Sequence, residues 1–580
     1  MCGIIGQYSR KFVDKNNFIK MRDSLSHRGP DDAGVIFLEN GKLAFGHRRL
    51  SIIDLSHRGR QPMHSEDNKI WLVVNGEIYN YKSLKKELLI LGHRFISDSD
   101  SEVLVHGYEE WGIDGLLERI NGMFAFALYD ASKKIIFLAR DRFGIKPLYY
   151  YENGSDFIFS SEIKGIIASA VFKKNLKFRA VCDFLIHRFV PSPDTMWDNV
   201  KKVRPGYYCA IDIDSLKSVE KKYWNLNINN KKINVNEAVE HFDYLLKKSI
   251  EEHIVSDVPV GIFLSGGYDS SAIVYYLHLI GYKPKSFTIG FKNYDKSEHI
   301  YAKEVAEKFS LNHTEYFMGE EISEYVKSLS YYFDDPVGGT STMPTYEVSR
   351  LAGRNMKVVM GGDGGDEILA GYNWYKSILK KSPNYSELAK EYYLNSISSV
   401  PFDYSDINKL FNYPLKNEDL PDDYYWIYEN VIDSNYDILK NLQLIDLTLF
   451  LPEIVLAKVD KASMANSLEV RVPFLDHRLV EFLFSLDSGI YYRENYSKFL
   501  LYEILKNVYS ENLLFKFKKG FSAPLYEKNI AFAINELRNG SLIKKGILNK
   551  DVFDDFLKTG YKEFFWNLYI LQEWMNRWVM

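Results

Sequence analysis

Cys2 stands directly after the initiator Met, so removal of Met1 would leave a thiol and a free α-amine on one residue. An α-amine titrates near about pH 8, close enough to neutrality to accept the thiol proton, so this one residue would supply both nucleophile and base. The competing reading is the common fate of a lone cysteine, burial as a small hydrophobe. Side chains suited to acyl chemistry follow in the first hundred positions. Arg49 offers a planar fork for a carboxylate. Glu77 and Asp100 are acids that could hold an ammonium group. Asn75 and the backbone N–H of Gly76 could donate to the oxyanion of a tetrahedral intermediate, where one donor is typically worth about 2.7–4 kcal/mol of barrier. Each has a plainer alternative: Arg49 and Asp100 as surface ion pairs, Asn75-Gly76 as a hairpin turn. His27, His47, His57 and His64 lie in the same stretch without an HxxxH or other metal spacing, so they read as structural or polar contacts.

A second group lies at 258–271, VPVGIFLSGGYDSS. An apolar strand runs into Ser265-Gly266-Gly267 and then into a helix whose first turn carries Asp269 and Ser270. Glycines let backbone N–H groups face an anion, and the helix N-terminus adds partial positive charge, so the geometry suits phosphates. It is not the GxxxxGK[ST] loop of Walker-type NTPases. Gly361, Gly362, Asp363 and Asp366 belong to GGDGGDEILAGY at 361–372, directly after a predicted strand at 357–360. That places them at the carboxyl edge of a sheet, where α/β proteins bind ligands; the plain alternative is a solvated turn.

Two kinds of scaffold must position these groups. Up to about residue 215 short β-like runs at 70–74, 124–129, 135–139, 148–151 and 157–160 are separated by Gly, Asn or Asp, with helical stretches at 83–91 and 102–111. The rhythm predicts antiparallel sheets covered by helices, an α/β sandwich. Segment 191–205 is rich in Pro and Asp and 225–234 in Asn and Lys, which puts the division between about 200 and 235, with domains at 1–215 and 232–580. Beyond it, strands at 258–264, 286–291 and 357–360 alternate with helices at 269–280 and 300–309, the pattern of a parallel, doubly wound sheet. The remainder reads as mainly helical, with loops near 395–406 and 414–423.

The 580 residues are 46% hydrophobic and 26% charged, an ordinary globular composition with volume for more than one core. Lys and Arg number 73 against 77 Asp and Glu, a net charge of -4 that gives no reason to expect nucleic acid or an anionic membrane as partner. The three cysteines, Cys2, Cys182 and Cys209, form no CxxC pair and no disulfide framework, which points to a reducing compartment. With no secretory leader pattern and no apolar run near the roughly 18 residues a membrane span needs, the expected location is the cytoplasm.

In their order along the chain, MCGIIG, LSHRGPDD (25–32), GHRRLSIID (46–54), NGEIYN (75–80), SDSE (99–102) and DRFGIKP (141–147) resemble the class II glutamine amidotransferase domain of asparagine synthetases. The resemblance implies an αββα N-terminal-nucleophile sandwich, Cys2 attacking the glutamine side-chain amide, Arg49 on the glutamine carboxylate, and Glu77 and Asp100 on its ammonium. SGGxDSS is similar to the PP-loop of ATP pyrophosphatases, and FTIGF at 287–291 accompanies it. By that resemblance Ser265, Gly266, Gly267, Asp269, Ser270 and Gly361 meet ATP, and Leu264, Ile289 and Gly362 line its adenosine. Asp269 and Asp366 are then carboxylates for Mg²⁺, a hard ion that prefers oxygen. LPEIVLAKVDKASMANSLEVRVPFLDHR at 451–478 is similar to the helical signature of the same family, and Lys498 and Lys518 match positions where lysines meet pyrophosphate or stabilise adenylation. The resemblance spans nearly the whole chain.

It implies a glutamine-dependent carbon–nitrogen ligase that releases ammonia at one site and uses ATP and Mg²⁺ at the other to activate a carboxylate, with a dry internal channel between Cys2 and Ser265. Aspartate, giving asparagine, is the acceptor the family implies. The departures concern that acceptor. Asp363 stands where the family often has Glu, shorter by one methylene or about 1.5 Å; Tyr268 replaces Leu in SGGLDSS, and LLYE follows Lys498 in place of LLRE. Similar Asp-bearing proteins occur in surface-polysaccharide pathways, which keeps open a sugar uronate acceptor and a uronamide product. A non-catalytic binding protein on this scaffold is the remaining reading, opposed by the intact Cys2, Arg49, Asn75, Asp269 and Asp366 set. A homodimer is left as an open expectation.

Overall fold

The computed structural model describes residues 2–226, 228, 231–292, 294, 297–398, 402–413, 415–416, 419–421, 423–514 and 523–580. Its first part is built from β1 (Gly3–Ser9), β2 (Asp32–Leu38), β3 (Leu43–Arg49), β4 (Met63–His64), β5 (Ile70–Ile78) and β6 (Gly122–Asp130), followed by β7 (Ile135–Arg140), β8 (Tyr149–Glu152), β9 (Asp156–Ser160), β10 (Val200–Lys202), β11 (Tyr207–Asp212) and β12 (Lys217–Lys222). They form two six-stranded sheets, ordered β10-β8-β9-β1-β3-β2 and β12-β11-β7-β6-β5-β4. Every pairing in them is antiparallel.

Period-two alternation explains why the sheets stack. Ile4 and Tyr8 of β1, Leu43 and Phe45 of β3, and Ala125, Ala127 and Tyr129 of β6 share one core between the sheets. Their neighbours Ile5, Ala44, Phe124, Phe126 and Leu128 belong to the other core, on the outer faces. A strand buried on both faces reads as a continuous apolar run, and β1 is buried along its whole length. The helix Lys15–Asp23 covers β1 and β3, and the helix Glu102–Arg119 lies against β5. This is the expected αββα sandwich. The second sheet continues through β12, a Lys-rich and mostly exposed edge strand. The following helix, Val235–His253, is capped by Asn234, whose side chain accepts from Glu237 N while the Glu237 carboxylate accepts from Asn234 N.

The second part carries β13 (Val260–Phe263), β14 (Lys285–Phe291), β15 (Asn312–Met318), β16 (Val358–Met360) and β17 (Glu469–Arg471) in a parallel sheet ordered β15-β14-β13-β16-β17. The chain winds outward from β13 through β14 to β15, then returns to β16 on the other side. The loops after β13 and β16 therefore diverge at a reversal of strand order, where a crevice opens at the carboxyl ends. The rest is helical, ending in Lys562–Trp578 against Glu527–Arg538. Where a loop was expected near 395–406, the structure has a π-helical turn at Tyr393–Ile397 and a helix at Tyr404–Lys409. Among the described residues no helix is long and apolar enough to cross a membrane.

Candidate active sites and the seam between them

Gly3 opens β1 opposite Arg48 of β3, which sets Cys2 beside Arg49 at the end of the neighbouring strand. The buried Cys2 donates its backbone N–H to Asn75 Oδ1 at 3.0 Å and accepts at its carbonyl from Arg28 Nε at 3.0 Å. Asn75 is fully buried on β5, and its Nδ2 has no hydrogen-bond partner. A buried amide donor without an acceptor costs free energy unless something fills the gap. At Gly76 a Cβ would stand 2.1 Å from the Met123 carbonyl oxygen, so only glycine fits there. Burial is the main influence on the Cys2 thiol and pushes it up, opposed by the Leu50 backbone hydrogen bond and the Arg49 charge.

Arg49 is oriented by backbone. Its Nη1 donates to Ser56 O at 2.9 Å, and its Nη2 donates to Ile53 O at 3.3 Å and to Asp54 O. Asp100 accepts from Ile78 N at 2.7 Å, and burial, with the charge of Glu469 adding to it, lifts its carboxyl to about 6. Glu77 is pushed well above the usual carboxylate range, first by burial and then by Glu469 and Asp100, while Arg471 opposes the shift. Glu77 Oε2 lies 3.5 Å from Arg471 Nη2, and neither atom has a hydrogen-bond partner. His27 meets Glu162 at 3.0 Å, His47 the Val74 carbonyl at 3.1 Å and His64 the Ser65 carbonyl at 2.8 Å.

The second constellation gathers at the β13 and β16 loops. Leu264 N donates to Phe287 O at 2.9 Å, and Ile289 is buried on the adjacent β14. Ser265 N donates to Ser270 Oγ and Gly267 N to Ser265 Oγ, both at 3.2 Å, which closes the turn entering the helix Tyr268–Leu279. Lys498 Nζ stands 2.5 Å from Asp269 Oδ1 and 2.8 Å from Asp366 Oδ1. The approach of the GGDGGDE loop to Asp269 depends on small residues, since a Cβ on Gly365 would sit 2.4 Å from Asp269 Oδ1. Gly361 N donates to Arg471 O at 2.8 Å, and Gly362 packs on Asp269. Lys518 lies outside the described residues.

Four side chains here escaped sequence reasoning, three of them, Glu367, Lys458 and Arg471, within motifs that were in view. Glu367, the last acid of GGDGGDE, is lifted to about 7 by burial and accepts from Tyr372 Oη at 2.7 Å. Lys458 is buried and its ammonium is depressed by desolvation, with Asp363 and Glu367 as opposing charges. Asp446, lifted to about 7 by burial, accepts from the Tyr375 and Tyr392 hydroxyls. Arg471 faces both constellations, its carbonyl toward Gly361 and its guanidinium toward Glu77.

A seam of buried ion pairs joins the two parts. Arg28 Nη1 lies 2.8 Å from both Glu162 and Asp460, and Lys202 Nζ 2.7 Å from Glu453 and 3.1 Å from Asp335, while beside them Lys461 Nζ, 3.0 Å from Asp334, pairs within the second part. Arg140, Tyr149 and Lys202 from the first part, with Asp335, Glu453 and Asp460 from the second, border a cavity of about 20 Å³, enough for roughly one water-sized molecule.

Residues 1–224 match the family of glutamine amidotransferase domains, and residues 241–576 match the asparagine synthase family. The fold and its two constellations thus define a two-part protein with an amidotransferase domain ahead of a synthase domain. Asparagine synthetase [glutamine-hydrolyzing] 1 of Bacillus subtilis is 32% identical over 562 residues, covering 90% of this chain and 87% of that protein. A putative asparagine synthetase [glutamine-hydrolyzing] 2 of Methanocaldococcus jannaschii is 34% identical over 523 residues, covering 82% and 100%. This chain belongs to the asparagine synthase family.

Proposed function

We propose that the protein is a glutamine-dependent carbon–nitrogen ligase that amidates aspartate to asparagine. What supports this most directly is the coexistence in one chain of the Cys2–Asn75 pair and the Asp269–Lys498–Asp366 cluster, with a buried cavity along the seam between them. The Cys2 sulfur adds to the glutamine amide carbon, the C–N bond breaks as the nitrogen takes a proton, and water hydrolyses the resulting thioester to glutamate. Asn75 Nδ2 and Gly76 N–H donate to the oxyanion. Glu77 and Asp100 hold the glutamine ammonium, and Arg49 holds its carboxylate. At the second site the acceptor carboxylate attacks the α-phosphorus of ATP and pyrophosphate leaves; ammonia then attacks the acyl carbon and AMP leaves.

Asp269 and Asp366 converge on a single ammonium within hydrogen-bond reach, an all-oxygen pair that fits a hard divalent cation. They would hold Mg²⁺, which neutralises the charge gathering on departing pyrophosphate. Lys498, and Lys518 in the family pattern, follow the phosphates. The seam cavity mixes charged side chains of both signs with apolar ones such as Ile145, Phe189, Val190 and Val337, and we read the ammonia path as running along it.

One feature favours a sugar uronate as second reading. Tyr372 and Trp374 stack at 3.8 Å with Phe450 against them, all partly exposed, and Tyr372 is tied to Glu367. Aromatic faces beside a carboxylate site suit a ring-shaped acceptor. Protein, ATP, Mg²⁺ and glutamine would be incubated with aspartate or with nucleotide-linked uronates, and pyrophosphate and amide product followed. Turnover with aspartate supports the first reading; turnover with a uronate alone selects the second; pyrophosphate with neither overturns both.

Asn75→Ala should lower glutaminase kcat by about 10²–10³ with little change in KM, because the lost donor acts mainly on the transition state. An equal rise in KM with kcat intact would contradict an oxyanion role. Asp100 adds a pH signature. Its ionised form is the one that holds an ammonium, so the KM for glutamine should rise as pH falls through about 6, and Asp100→Asn should flatten that dependence. A wild-type KM that stays level across that window would exclude Asp100 from glutamine binding.

A further inference from the structure

We propose that His93, His106 and Glu109 form a Zn²⁺ site on the outer face of the amidotransferase domain, independent of the reading above. One nitrogen from each imidazole and one Glu109 oxygen lie within 4.8 Å of one another, the only such group of three among the described residues. His106 Nδ1 is 2.9 Å and His93 Nδ1 3.7 Å from the same Glu109 oxygen. His106 and Glu109 share a face of the helix Glu102–Arg119, three residues apart, and His93 comes from the turn after the helix Tyr81–Ile90.

The far side of each ring is the second, independent observation. His93 Nε2 lies 3.2 Å from Glu110, and His106 Nε2 lies 3.6 Å from Glu102. Glu110 is within hydrogen-bond reach of His93 Nε2 and supports the tautomer whose Nδ1 lone pair is free for a metal; His106 Nδ1 donates to Glu109 in this arrangement, so Zn²⁺ would displace that proton, with the Glu102 charge behind Nε2 favouring the exchange. Glu102 is itself held by Ile96 N at 2.7 Å and Ser97 N at 2.8 Å, which ties the His93 turn to the helix. Bonds of about 2.0–2.1 Å at tetrahedral angles set ligand atoms about 3.3–3.4 Å apart, so His93 must move in while the 2.9 Å His106–Glu109 pair opens slightly. The side chains free to do so are Glu109, 25% exposed, and His93, 16% exposed, while His106 is the buried anchor at 3%. Two imidazoles and a carboxylate suit Zn²⁺ better than Mg²⁺ or Ca²⁺, and a fourth position remains for water.

The test uses the full chain carrying Cys2→Ala, so that the leading thiol takes up no metal. Equilibrium dialysis against micromolar Zn²⁺ should show one saturable equivalent, and Co²⁺ in its place should give the visible bands of a tetrahedral N/O site. Adding His93→Ala, and separately His106→Gln, should remove that equivalent, while ammonia-driven turnover and Tm of the His93→Ala protein stay unchanged. Failure to find saturable uptake in the parent chain, or its persistence in both histidine variants, would overturn the site.

Discussion

Cys2→Ala should abolish glutamine-driven amide formation, by at least about 10³-fold, and leave ammonia-driven formation within about twofold of the parent. The magnitude follows from what loss of a covalent nucleophile costs when the surrounding donors remain. The selectivity follows from placement, because the thiol lies at the start of β1 in the antiparallel part, whereas the loops after β13 and β16 belong to the parallel sheet. The side chain is small and Cys2 holds Asn75 and Arg28 through its backbone, so alanine keeps both hydrogen bonds. The measurement is amide product per minute with each nitrogen source at saturation. Equal losses with both sources would mean that Cys2 serves the fold and not the nitrogen supply.

Asp269→Asn should produce the mirror image: pyrophosphate release down by about 10² or more, with glutaminase turnover retained. Asparagine preserves the shape that fits against Gly365 while removing the charge. Asp269 faces the Lys498 ammonium together with Asp366, so its loss halves the negative charge on that cation and would remove one of the two oxygens that would hold a divalent ion there. Raising Mg²⁺ should recover part of the activity if the defect lies in metal affinity. Unchanged pyrophosphate release at ordinary Mg²⁺ would remove Asp269 from the ATP site.

The parts of the protein legible in its sequence are those written in consecutive residues. The thiol at position 2 and the Ser265 loop depend on a strand end and its turn, and the apolar run at 124–129 reads as the strand β6, whereas Asn75-Gly76, which a sequence could equally offer as a hairpin turn, lies within β5 and pairs with β6. Edge elements were harder. β15 is only partly buried and carries polar residues at most positions, and β17 is three residues long, so neither offers a periodic apolar signal. Charge partners across the chain were not visible at all. Nothing near Glu77 in the sequence indicates that its neighbour is Arg471, and nothing near Arg28 points to Asp460. Arg49 shows a subtler limit, since its residue type suits an anion but only the fold reveals that the carbonyls of a turn aim it. The elevated carboxyls of Asp100 and Glu367 arise from burial, which composition cannot assign to one side chain.

The seam of charges has a consequence for anyone who would cut this chain in two. Lys202 draws both of its countercharges, Glu453 and Asp335, from the opposite half, while Arg28 divides itself between Asp460 across the seam and Glu162 on its own side, and Arg471 between Glu77 across the seam and Glu469 on its own side. Either half produced alone would expose stranded ions shaped for an absent neighbour, and a graft from a relative would have to carry both members of every pair. The amidotransferase and synthase parts are therefore best engineered as one body, whatever the ease with which their sequences can be told apart.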